Sequence, residues 1–393
     1  MPEKILKFPE GFLWGAATSA HQVEGGNFND WSEWEKKSAQ AENYISGRAC
    51  DHYNLYEQDF DIAKSLGHNA HRFSIEWSRV EPEQGKFNEA ELGHYCRVIS
   101  ALRERGLEPF VTLWHFTLPL WAAEQGGWQN KKTAEDFCRY VEKVVGAFKP
   151  EVKFWIILNE PDVYPAESYL KGAWPPQKKN IFAYLKVIKN LSKAHKTAYE
   201  IIKKIEPEAQ VGIAKNNIYF EPYKNKLINL CLKKLADWWC NFYFLNRIKN
   251  FQDFIGLNYY FHNLINCGFS KNENKIVSDM GWELYPQGIY YILKDLQKYQ
   301  KPIYITENGL ADSQDQKRAW FIKETLRSVH QAIEEGVDVR GYFHWSLLDN
   351  FEWDKGFWPR FGLVEIDYKT LERKVRPSAW EYARICKNNE LNL

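Results

Sequence analysis

The feature that most constrains the fold is a series of short apolar, β-prone runs that recur along the chain at intervals of roughly 40 to 60 residues. Most are almost continuously apolar rather than alternating, as expected of parallel strands that are buried on both faces. There are eight of them: Phe12–Ala17, Ala70–Trp77, Pro109–Trp114, Phe154–Asn159, Gln210–Ala214, Phe254–Tyr260, Ile303–Thr306 and Val339–Trp345.

Amphipathic stretches lie between these runs and indicate helices. One covers 54–66 and stops at Gly67, and another, Thr133–Phe148, opens with a Thr-x-x-Asp capping signal. Eight strands alternating with eight helices predict the α/β class and a (β/α)8 TIM barrel. A doubly wound open sheet is the competing interpretation, but Gly25-Gly26 lies too far past the first run to be its phosphate loop. The other predicted helices cover 89–105, 181–205, 226–248, 287–299, 316–335 and 378–387.

Composition narrows the class of protein further. The chain has 393 residues without a linker, repeat or low-complexity tract, so a single domain over residues 1–393 is predicted. Its 52 basic and 51 acidic side chains nearly cancel, which argues against nucleic acid or an anionic membrane as a partner. Seven widely spaced cysteines without a C-x-x-C pair, and no apolar leader at the N-terminus, predict reduced thiols and a cytoplasmic location. Its 17 tryptophans suit a protein that stacks aromatic rings on the faces of sugars.

Two of the runs end in a glutamate. The fourth run ends in Asn159-Glu160-Pro161 and the seventh in Thr306-Glu307-Asn308-Gly309. In a barrel the C-terminal ends of the strands build the active site, and every run except the fifth ends in side chains that suit one. Either glutamate alone could pair with an arginine or cap the next helix. Two of them on facing strands, each beside an asparagine, favour glycoside hydrolysis, which needs one protonated and one ionised carboxyl group.

These two motifs resemble those of glycoside hydrolase family 1, and the resemblance runs along almost the whole chain. It implies a retaining β-glycosidase that needs no cofactor and no metal. His68-x-x-His71 is not expected to bind a metal, since the two side chains of the pair would face opposite sides of a strand. Further matching stretches follow in family order: Phe12–Ser19, Arg72–Arg79, Gly256–Tyr260 and Trp345–Trp353.

The resemblance also implies roles for single residues. Glu160 would be the acid/base, kept neutral by the charge of the second carboxylate, and Glu307 the nucleophile that forms a covalent glycosyl-enzyme. Arg72 would keep Glu307 ionised, Tyr260 would donate a hydrogen bond to it, and Asn258 would belong to the same catalytic group. In a retaining pair the two carboxyl groups lie about 5–5.5 Å apart. The substrate-binding positions that it implies are Gln22, His115, Asn159, Glu352 and Trp353 for the sugar hydroxyls, Trp345 under the sugar ring, and Phe361.

The sequence departs from the family pattern on the leaving-group side. Phe116 stands where many members carry tryptophan, and Asp162 where many carry an apolar or aromatic residue. We therefore expect a more polar aglycone site, with Trp282 as its stacking residue. Glu352 replaces the phosphate-binding serine of a phospho-sugar subgroup, which favours unphosphorylated sugars. The chain is also short for the family, and the deficit falls between Ala214 and Phe254.

Three hypotheses of function follow. The first is an exo-acting retaining hydrolase of β-glucosides, β-galactosides or β-fucosides, with a small β-glycoside or oligosaccharide as its partner. The second is a transglycosylase of the same chemistry, in which a sugar acceptor outcompetes water. The third is a sugar-binding protein on an inactive scaffold, which the presence of both glutamates, Arg72 and Tyr260 argues against. Neither the oligomeric state nor the natural aglycone follows from the sequence.

Overall fold

The eight apolar runs form a closed parallel barrel, which confirms the predicted (β/α)8 fold. The structure, a computed structural model, describes residues 5–38 and 44–393. The strands are hydrogen-bonded in sequence order, and the last closes on the first along Leu13–Ala17 and Gly341–Trp345. They are β1 (Leu13–Ala17), β2 (Ala70–Ser74), β3 (Glu108–Thr112), β4 (Phe154–Asn159), β5 (Gln210–Pro222), β6 (Phe254–Ile265), β7 (Ile303–Asn308) and β8 (Val339–Trp345).

Helices follow the strands and cover the outside of the barrel. The longer ones are His52–Ser65, Glu89–Glu104, Lys131–Phe148, Ile181–Ile205, Leu227–Ala236, Gly288–Leu296, Arg318–Glu334 and Pro377–Asn388. Shorter helical segments are Ala20–Val23, Asp30–Ser38, Trp77–Val80, Leu120–Glu124, Gly127–Gln129, Val163–Pro165, Ala166–Lys171, Tyr223–Asn225, Asp237–Phe242, Tyr243–Ile248, Gln297–Tyr299 and Trp353–Lys355. Two small antiparallel pairs lie outside the barrel: Ile5–Lys7 with Glu390–Asn392, and Val364–Ile366 with Arg373–Val375. Among the described residues no helix has the length and apolar character to cross a bilayer.

The barrel strands are apolar throughout because they bury side chains on both faces. On β4, Phe154 and Ile156 belong to a cluster of aromatic and small residues contributed by facing strands, which fills the barrel. Trp155 and Ile157 belong to the larger core between strands and helices. Phe110 and Phe154 stack at 4.2 Å between ring centroids. The barrel is thus a packed core that supports the strand ends, rather than a channel.

Several boundaries differ from the sequence-based prediction. Strand β5 continues past Ala214 to Pro222 and β6 past Tyr260 to Ile265, and the two extensions remain paired beyond the barrel rim. The predicted 226–248 helix is three pieces, since Asp237–Phe242 forms a π-helical turn. Strands β5 and β6 are therefore longer than predicted, and both extensions contribute residues to the candidate site, among them Asn216 and Phe261.

The predicted capping signal at Thr133 was wrong. The helix begins at Lys131, and the Asn130 side chain accepts a hydrogen bond from the Lys132 amide at 3.1 Å. The Thr133 hydroxyl instead donates to the Gly127 carbonyl at 2.7 Å. Asparagine is as good a cap as threonine, and the preceding 3-10 turn Gly127–Gln129 places it at the helix start.

Candidate active site

A cavity of about 800 Å3 opens at the C-terminal ends of the barrel strands. Three of the predicted residues, Arg72, Asn258 and Gln22, do not line it and lie behind its wall. The other predicted residues line it together: Glu160, Glu307, Tyr260, His115, Asn159, Trp345, Glu352, Trp353, Phe361, Trp282 and Asp162. The barrel topology therefore brings the widely separated sequence motifs to one cavity.

Glu307, at the end of β7, has a cation and a hydroxyl donor on its carboxylate. The Arg72 guanidinium on β2 donates from Nη1 to Glu307 Oε1 at 2.5 Å, and both side chains are almost fully buried. The Tyr260 hydroxyl on β6 donates to Glu307 Oε2 at 2.8 Å. Burial and the negative charge of Glu307 raise the pKa of Tyr260 well above its usual range, so Tyr260 keeps its proton to donate. Both oxygens of Glu307 thus accept hydrogen bonds, one of them from a cation.

Just past the end of β7, which carries Glu307, the backbone of Gly309 packs closely against the end of β8. Gly309 follows two residues later, and a Cβ at that position would collide with the backbone carbonyl of Trp345 at the end of β8. The motif that begins at Thr306 therefore needs glycine for the close approach of β7 to β8, and not for flexibility.

Glu160, just past β4, has a different environment. Its Oε1 accepts hydrogen bonds from two side-chain amides, Asn258 Nδ2 at 2.9 Å and Asn216 Nδ2 at 3.2 Å. Within residues 5–38 and 44–393, no cation forms an ion pair with it. Burial raises the pKa of Glu160 to about 8, and the negative charge of Glu307 adds to the rise. The predicted influence of Glu307 is present, but burial is the larger cause.

The backbone of Glu160 is also unusual. Its φ is 41°, in the left-handed region that is disfavoured for a residue with a Cβ atom. The Glu160 amide donates to the Ala214 carbonyl of β5 at 2.8 Å, and its carbonyl accepts from the Val163 amide at 3.0 Å. These bonds on both sides hold the strained turn, which points to a functional site.

A hydrogen-bond chain behind the cavity wall joins the two glutamates. Arg72 Nη2 donates to Asn159 Oδ1 at 2.7 Å, and Asn258 Nδ2 lies 3.2 Å from the same oxygen. Asn258 in turn contacts Glu160, and Arg72 contacts Glu307. Arg72 and Asn258 act on the carboxyl groups from behind the wall, and Asn258 positions Glu160 rather than facing the cavity.

His115 lines the cavity and has a neutral, buried ring. Burial and the charge of Arg72 lower its pKa well below the usual range, so the imidazole is neutral. Its Nε2 lies 3.1 Å from the amide nitrogen of Asn159, which assigns Nε2 as acceptor and Nδ1 as the protonated nitrogen. Nδ1 is buried and has no partner among the described residues.

Glu352 is a third buried carboxyl group in the cavity. Burial raises its pKa to about 8, with Glu307 as the next cause. Gln22, which lies outside the cavity lining, reaches Glu352 Oε2 at 3.4 Å and also donates to the Phe351 carbonyl at 2.9 Å. Gln22 therefore supports the loop that carries Glu352, and its predicted direct contact with the ligand stays a prediction.

Aromatic rings flank this end of the cavity. Trp353 lies nearly parallel to His115 on one side, at 6.0 Å between centroids, and to His21 on the other, at 5.6 Å. The Trp345 ring lies 6.0 Å from His115 at an interplanar angle of 25°. Flat apolar ring surfaces next to polar groups such as His115 and Glu352 suit the binding of a sugar ring, which has apolar faces and hydroxyl groups at its edge.

Other residues of the cavity lining are the ones predicted for the leaving-group side. Trp282 packs on Phe261 at 4.7 Å and on Phe361 at 6.1 Å between ring centroids. Asp162 also lines the cavity but is held in an ion pair, with its Oδ2 2.8 Å from Lys215 Nζ. Its second oxygen, Oδ1, is buried without a partner among the described residues. The negative charge of Asp162, from which a more polar aglycone site was predicted, is thus partly neutralised by Lys215.

The sequence-based prediction missed the contribution of the fifth strand. Because β5 continues past Ala214, Lys215 and Asn216 lie on it at the level of the site, where Asn216 contacts Glu160 and Lys215 contacts Asp162. The signal was present, since polar residues follow an apolar run here as they do on the other strands. Trp174 and Trp239 also line the cavity and carried no sequence motif that identified them.

Comparisons with known proteins agree with this geometry. The profile of glycosyl hydrolase family 1 matches residues 5–248 and 229–391, and the overlap places a break in the match between β5 and β6. Beta-glucosidase A of Thermotoga maritima is 36% identical over an alignment of 444 positions that covers 98% of this chain and 99% of the relative. Since this chain has 393 residues, the relative carries segments that it lacks. A beta-galactosidase of Pyrococcus woesei is 32% identical over 97% of each chain.

Solved structures show the same likeness. The beta-glycosidase from Pyrococcus horikoshii superposes with a TM-score of 0.93 at 42% identity, over 99% of this chain and 96% of that one. The beta-glucosidase from Thermotoga maritima in complex with glucoimidazole gives a TM-score of 0.92 at 35% identity, over 98% and 99% of the two chains. The chain is therefore a glycoside hydrolase of the β-glycosidase type and belongs to glycosyl hydrolase family 1.

Proposed function

We propose that this enzyme is a retaining, exo-acting β-glycosidase in which Glu160 is the acid/base and Glu307 is the nucleophile. The observation that supports this most is the contrast between the two carboxyl groups. Glu307 is ion-paired with Arg72, whereas Glu160 has amide donors only and a pKa of about 8. Two carboxyl groups whose environments separate their protonation states are what acid-assisted nucleophilic displacement requires. We assign the whole chain, residues 1–393, to one catalytic domain.

In the first step Glu307 attacks the anomeric carbon while Glu160 gives its proton to the leaving oxygen. The bond from the anomeric carbon to that oxygen breaks, and an ester bond to Glu307 forms. Esterification removes the negative charge of Glu307, which is one of the two main causes of the raised pKa of Glu160. The pKa of Glu160 then falls, and the same group can accept a proton from the water that releases the sugar.

The sugar-binding end suits an unphosphorylated glycone. The imidazole of His115 and the carboxyl group of Glu352 line this part of the cavity as polar partners for hydroxyl groups, and Trp345 and Trp353 offer ring surfaces. No lysine or arginine of the described part of the chain forms an ion pair with Glu352, so this position has no counter-charge for a phosphate. Relatives named beta-glucosidase and beta-galactosidase support a glucoside or galactoside as substrate, and we include the β-fucoside in the proposal.

The leaving-group part of the cavity combines aromatic and polar residues. Trp282 and Phe361 supply an apolar surface, and Asp162 adds polar character to the lining beside a sugar or alcohol leaving group. A transglycosylase would use the same groups with an acceptor sugar in place of water. A cytoplasmic location stays a prediction from the cysteine pattern.

The test combines a substrate panel with product stereochemistry. We expect turnover of nitrophenyl β-glucoside, β-galactoside and β-fucoside but not of the 6-phospho-glucoside, and NMR should detect the β-anomer of the sugar first. An α-anomer as the first product would contradict the retaining mechanism, and no turnover would indicate a binding protein. Adding excess cellobiose measures transglycosylation directly.

The role of Glu160 is tested separately. In Glu160→Ala, turnover of a methyl β-glucoside should fall by about 10³-fold, while a dinitrophenyl β-glucoside, whose leaving group needs no proton, should still form the glycosyl-enzyme. Added azide should restore release of the sugar as the β-glycosyl azide. Equal losses on both substrates would contradict the assignment.

A further inference from the structure

The buried ammonium group of Lys215 is not used in the mechanism above and lies next to the proposed acid. Its side chain has no exposed surface, which is rare for lysine and requires that each of its three protons finds an acceptor. Lys215 Nζ donates to Asp162 Oδ2 at 2.8 Å, to the Cys240 carbonyl at 2.7 Å, and to the Asn216 carbonyl. The charge is therefore fully satisfied within the protein.

These three acceptors come from three different elements that meet at Lys215, and two of those elements also reach Glu160. Asp162 lies two residues past Glu160 on the strained turn after β4. Asn216 is on β5, and its side-chain amide donates to Glu160 Oε1 at 3.2 Å. Cys240 belongs to the π-helical turn Asp237–Phe242, in the segment where the match to the family profile breaks. Lys215 thus contacts both the shortened connection between β5 and β6, through Cys240, and the residues next to Glu160, through Asp162 and Asn216.

The turn that carries Cys240 is docked firmly on β5. The Asn241 side chain accepts from the Ile218 amide and donates to the Ile218 carbonyl, both at 2.9 Å. A movement of this turn would consequently shift the Lys215 contact, and with it the backbone that holds the Asn216 amide.

We propose that Lys215 is a positioning residue for the acid/base, which it holds through Asn216 on one side and Asp162 on the other. The inference rests on the proposed role of Glu160. The alternative is that the buried Lys215–Asp162 ion pair has only a structural role and no effect on the position of Glu160. The two differ in one respect: a positioning residue affects leaving groups that need a proton more than those that do not.

The first test is therefore the leaving-group dependence of Lys215→Met. We expect kcat/KM to fall by about 100-fold on methyl β-glucoside and by less than about fivefold on dinitrophenyl β-glucoside. The control is Lys203→Met, because Lys203 pairs with Asp253 beside the N-terminal end of β5, where the Val211 amide donates to Asp253, with Lys203 Nζ 3.3 Å from Asp253 Oδ2. The control should change both substrates by less than about twofold. Equal losses on both substrates in Lys215→Met, or none, would overturn the inference.

Asp162→Asn gives a second test that leaves the turn's shape intact, and it stands if Lys215→Met does not fold. The negative charge of Asp162 adds to the rise in the pKa of Glu160, after burial and Glu307, so its removal should move the alkaline limb of kcat/KM to lower pH. An unmoved limb would contradict the coupling. Lys215 loses its carboxylate partner in this variant, and the other charged or titratable groups at the site, which stay unchanged, are Arg72, His115, Tyr260, Glu307 and Glu352.

The two proposals fail in distinguishable ways. If Glu160→Ala itself shows no dependence on the leaving group, the role of Glu160 is wrong. If Glu160→Ala shows the dependence and Lys215→Met does not, only the role of Lys215 is wrong.

Discussion

The β7 side and the β4 side of the cavity surround the same type of side chain with different partners. On the β7 side a buried arginine and a tyrosine hydroxyl donate to the two oxygens of Glu307. On the β4 side two neutral amides contact Glu160, and the buried Lys215 pairs with Asp162 instead. Since both glutamates are buried, the difference supports the proposal that the position of the cations separates their roles.

The largest expected effect comes from removing the β7 carboxylate. Glu307→Gly should lower kcat by at least about 10⁴-fold, because no group remains to form the covalent intermediate. Added azide should occupy the space and yield an α-glycosyl azide from an activated β-glucoside, measured by NMR. The matched control is Glu76→Gln, a buried glutamate past the end of β2 that does not line the cavity. A comparable loss in that control would show that the effect is structural.

The pH profile sharpens the comparison without a mutation. A pKa of about 8 means that Glu160 holds its proton below that pH and loses it above. Since the first step needs the proton, kcat/KM for methyl β-glucoside should be retained up to about pH 8 and then fall about tenfold per pH unit. The rate should be measured from about pH 5 to 10 with a check that the enzyme remains folded. A fall that begins near pH 5 would place the acid elsewhere.

The smallest effect concerns Glu352, a third buried carboxyl group without a cation. Its pKa is about 8 in the folded protein, so the folded state retains the proton more tightly than the unfolded chain does. The contribution of this carboxyl group to folding stability is fully present below its pKa in the unfolded chain. It is lost as the pH rises through the folded-state pKa of about 8. Glu352→Gln should therefore be more stable than the natural protein by about 1–3 kcal/mol at pH 8, but not at pH 4.

Thermal unfolding at the two pH values measures this difference, which corresponds to about 2 °C or more. Glu365→Gln, on an exposed position of the small antiparallel pair, serves as the control and should show no change at either pH. Equal shifts at both pH values in Glu352→Gln would mean that packing, and not ionisation, is the cause.

Most of the fold, and many of the residues at the candidate site, could be predicted from local patterns in the sequence. The apolar runs predicted the barrel, and polar residues after a run predicted which strand ends meet. The prediction failed at the fifth strand. Its apolar run ends at Ala214 in the sequence, but the strand itself continues to Pro222, so Lys215 and Asn216 were not included among the predicted site residues. The aromatic residues Trp174 and Trp239 come from connecting segments, whose approach to the cavity depends on tertiary packing.

The sequence by itself determined that two glutamates stand at strand ends of a β/α barrel, because strand periodicity and the order of motifs are local properties of the chain. Only the tertiary structure decided that burial, more than the charge of Glu307, raises the pKa of Glu160. It also decided that Asp162 is neutralised by Lys215 and that Arg72, Asn258 and Gln22 lie behind the cavity wall. Burial and ion pairing depend on distances between residues far apart in the sequence, and these exist only after the barrel has closed.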